Sequence, residues 1–172
     1  MTASSNFSKY RNLFLIFLSS IITFNSFGQS RDETLDYINT KQDVYKHKNN
    51  AGDIFQYAIN TSNANGASNL IIVEIASVAG TIVTKDYYIV DIKNITAVEY
   101  ALDEIGRKQI KIFAKSPGFV KQDLLNNVES YETLISLTFS IKTESEQIKS
   151  LIKSYKHLIK LLGGKDLSKE MF

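Results

Sequence analysis

The stretch Thr143–Gly164 (TESEQIKSLIKSYKHLIKLLGG) decides the fold. Ile148, Leu151, Ile152, Tyr155, Leu158, Ile159 and Leu162 recur at helical separations, so on an α-helix they fall within an arc of about 120°. Thr143 and Glu146 have the spacing of a capping box, and Gly163-Gly164 supplies the stop. A helix with one broad apolar face must lay it on another apolar surface. The preceding chain has to provide that surface.

It does so as strands. Phe55, Tyr57 and Ile59 recur at every second position, as do Ile110, Ile112 and Ala114, opposite Gln109, Lys111 and Phe113, and later Ile135, Leu137, Phe139 and Ile141. That period of two places each set on one face of a strand. Leu70–Val78 is a largely apolar strand, and Ala79-Gly80 is a hairpin turn into Thr81–Val90. Val98, Tyr100 and Leu102 alternate again before the turn Asp103-Glu-Ile-Gly106. Thr61–Asn69 reads as a loop by composition. Ser116-Pro-Gly118 breaks the strand of Ile110, Ile112 and Ala114 at the only proline of the chain, and Phe119–Tyr131 reads as irregular, with one helical turn near Leu124. Upstream, Ser30 and Glu33 form a second capping box, and Leu35, Ile38 and Tyr45 indicate a helix from about Arg31 to about Tyr45. Short turns between strands imply an antiparallel meander and not βαβ units. The expected fold is α+β: an N-terminal helix, a bent antiparallel sheet of about six or seven strands, and a C-terminal helix capping the core.

A strand meander closed by one amphipathic helix resembles a pleckstrin-homology-type (PH-like) domain. The residues that carry the resemblance are Tyr87–Ile92 before Ile95, and the helix Ile148–Leu162. Tyr155–Gly164 is also similar to the ending of small secreted bacterial proteins. The resemblance spans roughly Asp53–Gly164 and implies binding of a lipid, peptide or protein without choosing among them. It carries no ligand residues across.

The N-terminus is a separate signal. Lys9 and Arg11 precede the apolar runs Leu13–Leu18 and Ile21–Phe24, and Ser26 and Gly28 are small residues at the −3 and −1 positions of a cut before Gln29. This order of charge, apolar run and small residues is that of a secretory signal peptide. Ser19 and Ser20 interrupt a run already short of the ~20 residues that span a bilayer; an uncleaved anchor is the alternative. The expected division is residues 1–28 as signal and 29–172 as one domain, exported to the periplasm or beyond. The full chain has 20 Lys+Arg against 18 Asp+Glu. Removing Lys9 and Arg11 makes the two equal, so no basic field remains to attract nucleic acid. Cysteine is absent, which excludes thiol catalysis, thiolate metal sites and a lipidated N-terminal Cys.

No residue pattern points to a reaction. There is no nucleophile elbow and no phosphate-cradling glycine loop, and His47 and His157 lack a second histidine at ligand spacing. No cofactor is expected. Two surfaces remain as binding candidates. Lys149, Lys153, Lys156 and Lys160 lie within about 60° of one another along a flank of the final helix, either as a solvated edge whose stems cover the apolar seam or as a contact for anionic lipid or an acidic partner. Phe119 and Leu124 belong to a segment too apolar to be idle: they either seal an open sheet end or form a lid over a groove. The reading is a non-catalytic envelope module engaging a protein or peptide, with anionic-lipid recognition through the lysine stripe as its alternative.

Overall fold

The computed structural model describes residues 29–48, 53–64 and 66–167; the expected signal segment, residues 1–28, lies outside them, as does the polar stretch 49–52. The protein is α+β. Helix α1 (Arg31–Tyr45) leads into β1 (His47–Lys48), β2 (Ile54–Ala64), β3 (Ala67–Val78) and β4 (Thr81–Asp91). A 3₁₀ turn, Ile92–Asn94, precedes β5 (Ile95–Leu102), β6 (Lys108–Ala114), β7 (Phe119–Asp123), β8 (Val128–Glu132) and β9 (Leu134–Thr138), and α2 (Ser145–Leu161) comes last.

All pairing is antiparallel. Six strands form one sheet in the order β1-β2-β3-β4-β7-β8, and three form a second in the order β5-β6-β9. The chain passes from the first sheet to the second at the Asp91–Ile95 corner, returns to the first between Ala114 and Phe119, and crosses to the second again at Thr133, whose carbonyl accepts from the Ala114 N–H at 2.9 Å. On the far side a bridge between Lys46 and Phe139 ties the first sheet to the second. Bending the ribbon this way lets its alternating apolar faces meet, enclosing Ile59, Leu70, Ile72, Val90, Val98, Ile110, Ile112, Leu137 and Phe139.

Helix α2 fills what the sheets leave open. Its Ile148, Leu151, Ile152, Tyr155, Leu158 and Ile159 are all fully buried, against β5, β6 and α1. The helix starts one residue later than the Thr143–Glu146 spacing suggests: Glu144 is the cap, and its N–H donates to Gln147 Oε1 at 2.9 Å. Thr143 is buried instead. The upstream capping box is present, with Ser30 N–H donating to Glu33 Oε2 (2.8 Å) and Glu33 N–H to Ser30 Oγ (3.2 Å). The buried line of α1 is Thr34, Ile38 and Gln42, one residue per turn. Two of those three are polar, so an apolar-period reading underweights this face.

The last strand is shorter than its alternation suggests: β9 ends at Thr138, Phe139 is still buried, and Ile141 is exposed. Two further segments differ from their sequence reading. Thr61–Asn69 is not a loop: β2 and β3 continue through it, with Thr61 opposite Leu70 and Ala64 opposite Ala67. Thr61 is buried, while Asn60 beside it and Asn63 nearer the end of the strand are exposed; a polar composition that continues past the core made the strand end look like a loop. Phe119–Tyr131 is likewise a hairpin, β7 paired with β8 from Phe119↔Glu132 to Asp123↔Val128. No helical turn joins its strands; Leu124–Asn127 forms the connecting turn, held by Asp123 accepting from the Leu125 and Asn126 N–H groups. The strand count among the described residues therefore rises to nine.

Candidate binding site

The lysine stripe does not survive as a unit. Lys149 Nζ pairs with Glu146 at 2.7 Å and Lys160 Nζ with Asp166 at 2.8 Å. Lys156 is only 8% exposed. It lies about 40° from Ile152 and about 60° from Ile159 around the helix, and both of those are fully buried; burial reaches past the apolar arc and takes in the flank at this turn. Beyond the helix, Leu167 is fully buried as well, so the tail returns to the body of the protein. Lys153 alone of the four opens onto a recess.

That recess is a shallow groove of about 440 Å³ between the start of α1 and the middle of α2, lined by Gln29, Tyr37, Ser150, Lys153, Ser154 and His157. Tyr37 Oη and Ser150 Oγ are 3.2 Å apart. Ser154 Oγ donates to the Ser150 carbonyl, and the Gln29 carbonyl accepts from His157 Nε2 at 3.2 Å. Serines and a histidine at one-turn intervals share one side of α2, and α1 crosses over them. None of the groove's lining residues is a carboxylate.

The second histidine sits elsewhere. The His47 ring lies against Phe55, with centroids 5.7 Å apart. Burial, followed by the nearby Arg107 guanidinium, lowers its basicity, against the opposing fields of Asp103 and Asp53. Arg107 Nε in turn holds Asp103 Oδ2 at 2.5 Å across the β5–β6 turn. Of the turn carboxylates, Asp103 is thus committed to closing its own hairpin, with Oδ1 accepting from the Ile105 and Arg107 N–H groups.

Phe119 and Leu124 part company. Phe119 is fully buried in the core, whereas Leu124 is 46% exposed at the hairpin turn. They face different environments because the segment is a strand and its turn, not a flap. Phe119 seals; Leu124 joins a different set. The Leu124 N–H donates to the Lys85 carbonyl at 3.0 Å, which brings the β7–β8 turn alongside the β3–β4 hairpin. Val78, Ile82 and Val83 near that hairpin's tip and Leu124, Leu125 and Val128 at the neighbouring turn are all large, apolar and exposed. Along this rim the first sheet presents six such side chains, from two adjacent hairpins.

Just inside the rim the same sheet turns polar. Glu74, Asp86 and Asp123 occupy one cross-strand row with Tyr57. Tyr88 Oη donates to Glu74 Oε2 (3.1 Å), and Asp86 Oδ2 lies at 3.4 Å. Lys121 Nζ reaches Asp86 Oδ2 at 3.0 Å and sits over the Tyr88 ring. Burial raises the Glu74 carboxyl above its ordinary range, with the Asp86 charge adding to the shift. These side chains bind one another, and the Lys121–Asp86 pair fastens the β7–β8 hairpin to β4.

No family model matches the chain, nor does a curated protein or a solved structure. No helix among the described residues is long and apolar enough to cross a membrane.

Proposed function

We propose that the chain is an exported, non-catalytic binding module of the cell envelope that engages a protein or peptide through the rim of its six-stranded sheet. The observation that carries this reading is the set Val78, Ile82, Val83, Leu124, Leu125 and Val128, exposed on two adjacent hairpins. Single exposed apolar residues are ordinary; six of them on two hairpins joined by the Leu124–Lys85 hydrogen bond are the feature that favours a recognition surface. Rigid strands hold such side chains in place before a partner arrives, which lowers the ordering cost of association. The resemblance to PH-type domains leads to the same class of activity. The anionic-lipid alternative ranks below it, because Lys149 and Lys160 are paired and Lys156 is buried, which leaves Lys153 as the open cation of the stripe.

A photo-crosslinking residue placed at Val83 or Leu124 tests the reading in cells that export the protein, with Val44 on α1 as the control. Val44 is also apolar and is more exposed than either rim position, but it lies on α1, off the rim. Both rim positions should trap one and the same protein, and Val44 should not. With the crosslinking residue moved to Ile82, also exposed on the rim, the double substitution Val83→Asp with Leu124→Asp should abolish the adduct without lowering the melting temperature. Equal labelling at all three positions, or none at the rim, overturns the proposal.

A further inference from the structure

We infer that the exported chain carries a blocked N-terminus: Gln29, once freed by cleavage after Gly28, closes onto its own side chain as a pyroglutamate lactam seated at the α1–α2 groove. The inference rests on the export reading, which puts Gln29 first in the mature chain. The closure needs no external oxidant or reductant. The neutral α-amino nitrogen attacks the side-chain Cδ, a new N–Cδ bond forms, the bond from Cδ to the amide nitrogen breaks, and that nitrogen leaves as ammonia with its own two protons and a third given up by the α-amine.

The position suits the reaction and its product. Gln29 is exposed, so its amine and side-chain amide are open to one another and to an enzyme. It stands immediately before the N-cap of α1. A free ammonium there meets the positive end of the helix dipole and shares the groove with Lys153. The carboxylates of the first helical turn already have partners: Glu33 accepts from the Ser30 N–H at 2.8 Å, and Asp32 lies 3.9 Å from Arg31 Nε. Lactam closure removes the ammonium charge while leaving the Gln29 main-chain carbonyl, which accepts from His157 at 3.2 Å, untouched. The ring's own N–H and C=O then lie in a recess furnished with the hydroxyls of Tyr37, Ser150 and Ser154. A blocked, seated terminus gives aminopeptidases of the envelope no amine to grip.

The test is the mass of the N-terminal peptide from full-length protein expressed with its leader, exported, purified and incubated. The expected peptide begins at Gln29, is lighter by one ammonia, and resists both Edman degradation and aminopeptidase. Gln29→Ala should yield a free, trimmable N-terminus at the same position. A peptide that begins at Gln29 and keeps its amine after incubation overturns the inference while leaving cleavage before Gln29 intact. A chain that begins anywhere else overturns the cleavage site and the inference together.

Discussion

Replacing Gly118 by alanine is the sharpest test of how the β7–β8 hairpin is held. Gly118 has φ +75°, and a Cβ built on it lies 2.1 Å from the Glu132 carbonyl oxygen. Gly106 has nearly the same φ, +79°, with nothing within 4 Å of its Cβ position. The pair separates two costs that usually travel together. Left-handed backbone costs an L-residue about 1–2 kcal/mol, and both substitutions incur it. Only Gly118→Ala also forces backbone against backbone. To relieve that contact the Phe119↔Glu132 pairing must open, next to a Phe119 that is fully buried; overpacking of this kind adds about 1–3 kcal/mol. Gly106→Ala should therefore cost about 1.5 kcal/mol and Gly118→Ala about 3.5. At roughly 3 °C per kcal/mol for a domain of this size, that is about 4 °C against about 10 °C in melting temperature. Thermal unfolding followed by far-UV circular dichroism reads both. Equal losses would mean that Gly118 is not pressed against Glu132 and that the hairpin is not registered as described.

Two further predictions concern buried phenols. The Gln42 amide donates to Tyr155 Oη at 2.7 Å in a fully buried site, so Tyr155→Phe strands that donor and should cost about 1–3 kcal/mol in urea unfolding. Adding Gln42→Leu should recover part of the loss, since no unpaired amide then remains; strictly additive losses would show that the two groups do not share a dry bond. Alkali provides the second. Burial, first of all, raises the Tyr57 and Tyr155 hydroxyls well above the ordinary phenol value, so the folded state keeps protons that the unfolded chain releases. Stability is then fully present below the unfolded phenol value of about 10 and falls as pH rises above it, by up to about 1.4 kcal/mol per pH unit from each residue. A stability plateau extending well above that value would contradict the burial of both hydroxyls.

Local periodicity made both helices and most strands legible in the amino-acid sequence. The period of α2 determined which of its faces is buried, and the alternation at Tyr57 and Ile59, at Ile110 and Ile112, and at Ile135 and Leu137 determined the inward faces of three strands, because each pattern lies within one short segment. The capping box at Ser30 and Glu33 was equally local. Where polar residues are buried, the pattern stops being local. Thr61 sits in a strand because β3 offers it a partner across a tight turn; Gln42 is buried because Tyr155, far away in the chain, takes its hydrogen bond; Asp86 is tolerated at 3% exposure because Lys121 of another strand neutralises it. Lys156 belongs with them, covered on the flank that helical periodicity assigns to solvent. The same physics governs the candidate surfaces. Composition identified apolar residues in 119–131, but only strand pairing sent Phe119 into the core and Leu124 out to the rim beside Val83. Periodicity reports what one segment prefers, whereas a polar group's burial depends on who stands opposite, and that partner is chosen only when the whole chain has folded.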